Sequence, residues 1–121
     1  MREGRLTAEF RDRTKRFAGQ VIRVFVGLSR ERAEVQVCGK QMLRSGTSVA
    51  AQVREASRGR SEAEFVSKLG GALQEADETL LWLELLREEC GVDPDATRTL
   101  EAEANELIAI MTSMIRKTGG R

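Results

Sequence analysis

The chain has 121 residues, enough for one domain, and its 40% hydrophobic and 32% charged residues suit a globular helical protein rather than a disordered one. It has one proline and no tyrosine or histidine, which favours helices and excludes most familiar catalytic and metal sites, because histidine is the commonest general base and metal ligand. The net charge is only +1, but residues 1–60 carry 14 basic and 6 acidic side chains, whereas residues 61–106 carry 3 basic and 13 acidic ones.

Turn residues and the spacing of apolar residues predict four helices, over about residues 8–28, 33–58, 62–90 and 94–117. The first helix is expected to begin after Thr7, a candidate N-cap. Its apolar face recurs at alternating spacings of four and three, which is typical of a bundle helix, at Phe10, Thr14, Phe17, Val21, Val24 and Leu28. The second helix carries a similar face after the polar turn at residues 29–32 and is expected to end near Arg58.

The last two helices are bounded by recognisable caps. Ser61 and Glu64 have the spacing of a capping box, so the third helix should begin there. Gly91 is expected to end that helix, and Asp93 is expected to cap the fourth, with Pro94 in its first turn.

Four long helices with short connections predict an all-α fold, an antiparallel up-down-up-down four-helix bundle, in a single domain over residues 1–121. No stretch approaches the roughly 18 apolar residues needed to span a bilayer, and the N-terminus lacks the apolar core of a signal peptide. We therefore expect no membrane contact and a cytoplasmic location. Cys38 and Cys90 form no metal-binding or disulfide pattern and are expected to be buried, reduced thiols.

Small residues occur inside the second and third helices, although a helical glycine costs about 1 kcal/mol relative to alanine. Antiparallel pairing about the turn near residue 60 places the patch containing Gly46 and Ala50 beside Gly70 and Gly71. We predict that the two patches face each other in close helix packing. The alternative is a flat surface that receives a partner helix.

The same register places Arg44 level with Glu75 and Glu78, which predicts a structural ion pair between the second and third helices. Carboxylate metal sites inside bundles use a Glu-x-x-His element, and the chain has no histidine. We therefore predict no metal site, no cofactor and no enzyme activity.

Basic residues cluster on the first helix and at the end of the second. They are candidates for contacts to nucleic-acid phosphates: Arg11, Arg13, Lys15, Arg16, Arg54, Arg58 and Arg60. Arginine accounts for 16 of the 20 basic residues, and its planar fork binds phosphate in a bidentate geometry. The same clusters can instead form a solvated face, and the arginine content can reflect genomic base composition. No aromatic residues are interleaved with them, so contacts should be to the backbone rather than by base stacking.

Two segments carry a resemblance to a known family: RSGTSVAAQVREA at 44–56 and FVSKLGGALQEADETLLWLELL at 65–86. They resemble small bacterial four-helix-bundle proteins encoded in intervening sequences of 23S ribosomal RNA genes, a group that is similar to the accessory variability determinant of diversity-generating retroelements. The resemblance covers almost the whole chain and implies a cyclic homo-oligomer, typically a pentameric barrel. The retroelement branch implies an adaptor that binds nucleic acid and a reverse transcriptase.

Together these features predict a non-enzymatic, oligomeric scaffold that binds the backbone of RNA or DNA and, by the resemblance, acts as an accessory protein for a reverse transcriptase. The alternative is a protein–protein interaction module without nucleic-acid binding. In that case the apolar stretch at Leu81, Trp82 and Leu85 docks another chain, although the same stretch could equally be buried in the interface of a ring.

Overall fold

The computed structural model describes residues 6–118 and contains four α-helices: α1 (Ala8–Val26), α2 (Ala33–Ser57), α3 (Glu62–Glu88) and α4 (Pro94–Thr118). Each helix begins and ends within two residues of its predicted bounds. No strand occurs in the described part of the chain. The predicted all-α four-helix bundle is therefore confirmed.

Helices that are consecutive in the chain are neighbours in the bundle. The most extensive contacts join α2 to α3, and those of α3 with α4 and of α1 with α2 come next. The least extensive contact joins α1 to α4 and closes the ring of helices. Because the connections are short, consecutive helices run antiparallel, which gives the up-down-up-down topology.

The core is a continuous apolar seam to which all four helices contribute. Its large, fully buried apolar side chains are Phe17, Val21, Val35, Met42, Val49, Val53, Leu69, Leu83, Leu86, Leu107 and Met111. Burial of apolar surface stabilises the fold by about 25 cal/mol per Å². Within residues 6–118, none of the helices combines the length and the apolarity that crossing a membrane requires.

The N-terminal caps of α1 and α3 follow the sequence. The hydroxyl oxygens of Thr7 and Ser61 accept hydrogen bonds from the backbone N–H groups of Phe10 at 3.1 Å and Glu64 at 3.0 Å. The Glu64 carboxylate, however, accepts from the backbone N–H of Arg60 at 3.2 Å, one residue before the position that a capping box predicts. The turn between α2 and α3 is thereby tied to the first turn of α3.

The connection between α3 and α4 is the predicted tight turn. Gly91 has a φ of 70°, a left-handed conformation that glycine adopts without strain, and the Val92 N–H donates to the Leu86 carbonyl at 2.9 Å. The Asp93 carboxylate accepts from the backbone N–H of Asp95 at 3.0 Å and caps α4 as predicted.

A buried polar contact sets the register of α2 on α3. The hydroxyl groups of Ser45 and Thr79 are hydrogen-bonded to each other at 2.8 Å, and neither residue is exposed to solvent. The Thr79 hydroxyl also lies 2.7 Å from the Glu75 carbonyl oxygen, so the buried hydroxyls do not lack partners. Ser45 therefore identifies the side of α2 that faces α3.

The prediction that Gly46 packs against α3 is wrong. A Cβ atom on Gly46 would lie 2.8 Å from each methyl carbon of Val21, so this glycine permits the close approach of α1. The reason is helix geometry: Gly46 follows Ser45, and successive residues of an α-helix point about 100° apart, which turns Gly46 from α3 towards α1.

The two small patches do not face each other. A Cβ on Gly70 would meet no atom within 4 Å, because Gly70 points away from the neighbouring helices. Gly71 does serve packing against α2, but its neighbour is the Gln52 side chain rather than a small residue. Ala50 is half-buried and lines a concave surface that α2 shares with α1.

Candidate functional site

A concavity with a volume of about 720 Å³ lies at one end of the bundle, where α1 and α3 begin and α2 ends. We call it the basic concavity. Six basic, two acidic and two alanine residues line it: Arg11, Lys15, Ala50, Ala51, Arg54, Glu55, Arg58, Arg60, Glu64 and Lys68. Five of the seven predicted phosphate-contact candidates therefore come together on one surface.

Helical spacing and topology explain this convergence. Arg11 and Lys15 are four residues apart on α1, and Arg54 and Arg58 are four apart across the end of α2, so each pair lies on one side of its helix. Because α1 and α2 are antiparallel, the first turns of α1 lie beside the last turns of α2. Arg60, in the turn that follows, completes the rim.

Lys68 is a lining residue that the sequence reasoning missed. Its Nζ lies 2.8 Å from Glu55 Oε1, and this hydrogen-bonded carboxylate raises the pKa of Lys68 above its ordinary value. The signal was present in the sequence, because Lys68 is level with Glu55 in the register that pairs Ser45 with Thr79.

Most of the basic side chains of the concavity are available to a ligand. Lys15, Arg54, Arg58 and Arg60 are exposed, and none of them forms an ion pair with another residue of 6–118. Arg11 is half-buried, and its Nη1 donates to the Leu6 carbonyl at 3.0 Å. The concavity therefore holds a net excess of positive charge.

Arg13 requires a correction. Its guanidinium forms a bidentate contact with Glu103 of α4, with 2.7 Å from Nε to Oε2 and 2.8 Å from Nη2 to Oε1, and Nη2 lies 3.4 Å from Glu106. The hydrogen bonds to Glu103 raise the pKa of Arg13 above its already high ordinary value. Because carboxylates occupy its fork, we assign Arg13 to the α1–α4 contact instead of to phosphate binding.

Arg16 also lies outside the basic concavity. It is exposed and lines two shallower surfaces, one between α1 and α4 with Arg98, and one on the outer side of α1 with Arg23. Arg16 could take part only in a contact that extends around α1.

The structure places Arg44 where the sequence register predicts. Its Nη2 lies 3.3 Å from Glu75 Oε1 and 3.0 Å from Glu78 Oε1. The carboxylate of Glu75 is the main cause of a raised pKa at Arg44. The Arg44 side chain is 52% exposed, so this cluster orients α2 and α3 with little contribution to stability.

An apolar patch adjoins this ion pair on the outer side of α3. Leu81 is 46% exposed, and Leu85 is half-buried. Trp82 packs partly against the core, and its indole Nε1 is buried with no hydrogen-bond partner among the described residues. A buried N–H without a partner is costly in a folded protein.

Helical spacing extends the patch onto α2. Trp82 follows Glu78 by four residues, and Val37 precedes Arg44 by seven, so both lie about one or two turns from the ion pair along the α2–α3 groove. Val37 is 62% exposed, which is unusual for a valine of a bundle helix. The α2–α3 groove thus presents apolar surface around a polar cluster.

The two cysteines offer little reactivity. Both are free, and Cys90 is buried as expected, but Cys38 is only half-buried. Burial and the neighbouring Cys90 thiol raise the pKa of Cys38, which suppresses the reactive thiolate. Within residues 6–118 no three Cys, Asp or Glu side chains are grouped so that they could hold a metal ion.

Comparison with known proteins decides the family. The model of the 23S rRNA-intervening sequence protein family matches residues 8–113. The chain belongs to this family. A crystal structure from Bacteroides thetaiotaomicron, described as a protein with unknown function from the S23 ribosomal protein family, is 35% identical, with a TM-score of 0.80 over 88% of this chain and 94% of that chain. No curated protein matches the sequence significantly.

The family assignment confirms the resemblance carried by the second and third helices. The likeness to the accessory variability determinant, with its nucleic-acid and reverse-transcriptase partners, stays a prediction.

Proposed function

We propose that this chain is a non-enzymatic scaffold that binds backbone phosphates of RNA or DNA in the basic concavity. The observation that carries the proposal is the convergence of six basic side chains from two helices, a turn and the start of a third helix on one concave surface. A concave surface lined by one sign of charge concentrates the electrostatic potential and attracts polyanions. Arginine forks then bind phosphate oxygens in a bidentate geometry.

The lining also favours phosphate over base recognition. It contains no aromatic side chain on which a base could stack. Contacts to phosphate carry no sequence information, so this mode of binding should be tolerant of sequence and strongly dependent on salt.

The proposal includes self-association through the α2–α3 groove. Support comes from the exposed apolar side chains of Leu81 on α3 and Val37 on α2. The resemblance gives the number of copies, a pentamer, and adds a reverse transcriptase as a protein partner. A ring would repeat the basic concavity on one rigid body and so increase avidity for a long polyanion. We place this role in the cytoplasm, where bacterial nucleic acid lies.

The first prediction concerns salt dependence. Replacing Arg54 and Arg58 with glutamine should weaken binding to labelled RNA and DNA and reduce the slope of log K against log salt by about 1 to 2, since each lost phosphate contact removes about 0.7 to 0.9 from the slope. Fluorescence anisotropy over roughly 50 to 200 mM salt measures this.

The matched control replaces Arg23 and Arg30, two exposed arginines near the opposite end of α1, with glutamine. The change in net charge is the same, but the concavity stays intact. An equal reduction of the salt-dependence slope in the control would show that binding depends on the overall electrostatic field of the protein and not on the concavity. Absence of binding by the unmodified protein at low salt would reject the nucleic-acid function.

The second prediction concerns the oligomeric state and tests whether the protein self-associates or is a monomer. We expect light scattering to report a multiple of 13.5 kDa. Leu81→Asp should shift the protein towards the monomer, because the aspartate would be desolvated in the interface. Gln74→Asp is the control, since Gln74 is exposed on the same side of α3 seven residues earlier. A 13.5 kDa particle for the unmodified protein contradicts self-association.

A second candidate function is a protein-interaction module that does not bind nucleic acid. The exposed Leu81 beside the half-buried Trp82 favours it, because an aromatic anchor flanked by apolar surface is typical of protein interfaces. Retention of a protein partner after Arg54 and Arg58 are replaced, together with no RNA or DNA binding at low salt, would favour this alternative.

A further inference from the structure

We infer that the basic concavity takes a terminal polyphosphate, the group found at the 5′-triphosphate end of an RNA and on a free nucleoside triphosphate. The inference rests on the proposed phosphate-binding function and gives that function a ligand class. Three features of the concavity support it: the density of its charge, the directions from which the charges come and the small residues among them.

The charge is dense for the size of the surface. Six basic and two acidic side chains line the concavity, whose volume is about 720 Å³. This volume lies within the range of about 300 to 1,000 Å³ that is typical of small-molecule sites. An internal phosphodiester brings one negative charge, whereas a terminal phosphomonoester brings about 1.5 to 2 at pH 7. A triphosphate concentrates still more charge in a compact group. Its charge therefore matches the excess in the concavity better than one or two backbone phosphates do.

The donors come from four different parts of the bundle. Lys15 comes from α1, Arg54 from α2 and Arg60 from the turn, while Lys68 of α3 is held at the side by Glu55. A continuous backbone is best bound by a stripe of cations along an open groove. Cations that converge from different elements instead suit a compact polyanion with oxygens pointing in several directions.

Small residues leave room among these donors. Ala50 and Ala51 are the lining residues without a long side chain, and they lie on α2 one turn before Arg54. A larger side chain at Ala50 would occupy part of the concavity without altering any charge. This position therefore allows a steric test that is independent of electrostatics.

The absence of aromatic lining residues adds a specificity prediction. The concavity has no surface for stacking a base, so the triphosphate rather than the base should determine affinity. Adenosine, guanosine and cytidine triphosphates are expected to bind within about threefold of one another, a difference of less than 1 kcal/mol.

The test compares RNAs of one sequence that end in a 5′-triphosphate, a 5′-monophosphate or a 5′-hydroxyl, together with inorganic tripolyphosphate and ATP as free competitors. Anisotropy and titration calorimetry are run at one fixed salt concentration. We expect the triphosphate RNA to bind about tenfold more tightly than the hydroxyl RNA. Tripolyphosphate should abolish this difference in affinity by competing for the concavity. Ala50→Leu should bring the affinities of the triphosphate RNA and the hydroxyl RNA closer together, because the larger side chain occupies part of the concavity without altering any charge. Ala63→Leu, an exposed position outside the concavity, should leave both unchanged.

The outcomes distinguish this inference from the proposed function. Equal affinities for the three RNA ends overturn the inference and leave backbone binding intact. Binding of tripolyphosphate without binding of any RNA supports the inference and rejects the nucleic-acid function. Failure of every phosphate ligand to bind overturns both. An affinity for ATP equal to that for triphosphate RNA supports a free nucleotide as the source of the group, and a weaker one supports the RNA end.

Discussion

Gly46→Ala is expected to destabilise the bundle by about 1 to 2 kcal/mol, and Gly46→Leu by about 3 kcal/mol, because overpacking a tight core forces backbone shifts. A Cβ at this position would lie 2.8 Å from both methyl carbons of Val21 and 3.1 Å from its Cβ. Val21 is fully buried, and a β-branched side chain has little freedom to rotate away in a helix. The added methyl therefore pushes α1 from α2. Urea unfolding followed by circular dichroism measures the loss.

Gly70→Ala is the matched control, since it makes the same change inside a helix where a Cβ would meet no atom within 4 Å. It should stabilise the protein by up to about 1 kcal/mol, the difference in helix propensity between alanine and glycine. Val21→Ala should partly rescue Gly46→Ala by removing the two methyl groups, with a coupling energy of about 1 kcal/mol. If both glycine variants gain stability, the proposed tight contact between α1 and α2 is wrong.

The contrast between these glycines shows what the sequence can predict. Helix bounds and caps depend on residues close together in the chain, and Thr7, Gly91 and Asp93 act as their local chemistry dictates. The pairing of α2 with α3 could also be predicted, because a tight turn fixes the register that brings Arg44 to Glu75. These features explain why the four-helix bundle can be predicted from the sequence.

The rotation of each helix about its axis is harder to predict from the sequence. Whether Gly46 faces α1 or α3 changes with one residue of rotation, and only packing of the whole seam decides it. Arg13 pairs with Glu103 across α1 and α4, helices that are far apart in the chain and joined by no turn. No local pattern distinguishes Arg13 from Lys15, although only Lys15 lies in the basic concavity. The sequence therefore predicts which types of residue form the site, and the structure shows which individual residues line it.

The second large effect is expected at Glu101, which joins α4 to α3. Its carboxylate accepts two hydrogen bonds from Arg87, from Nε and Nη2 at 2.9 Å each, and a third from the Thr97 hydroxyl at 2.8 Å. The Glu101 side chain is only 13% exposed, so its loss leaves polar groups without partners in a poorly solvated contact. Glu101→Ala should cost about 1 to 2 kcal/mol of unfolding free energy.

Glu88→Ala provides the control, because Glu88 also contacts Arg87, at 3.3 Å, but its side chain is 53% exposed. Exposed ion pairs are screened by water and salt, so this variant should change stability little. A loss in Glu88→Ala as large as that in Glu101→Ala would show that burial of the Glu101 network is not what matters.

The pH dependence follows from the same contacts. The hydrogen bonds from Arg87, with help from Thr97, lower the pKa of Glu101 below its ordinary value, against the opposing effect of burial. A carboxylate whose pKa is lowered by folding contributes stability that is present above the unfolded pKa of about 4.3 and is lost as pH falls through the lower folded value. The stability difference between the unmodified protein and Glu101→Gln should thus be largest near about pH 7 and shrink by about pH 3. Urea unfolding at both pH values measures it, and a difference that persists unchanged in acid would mean that the Glu101 charge does not stabilise the α3–α4 contact.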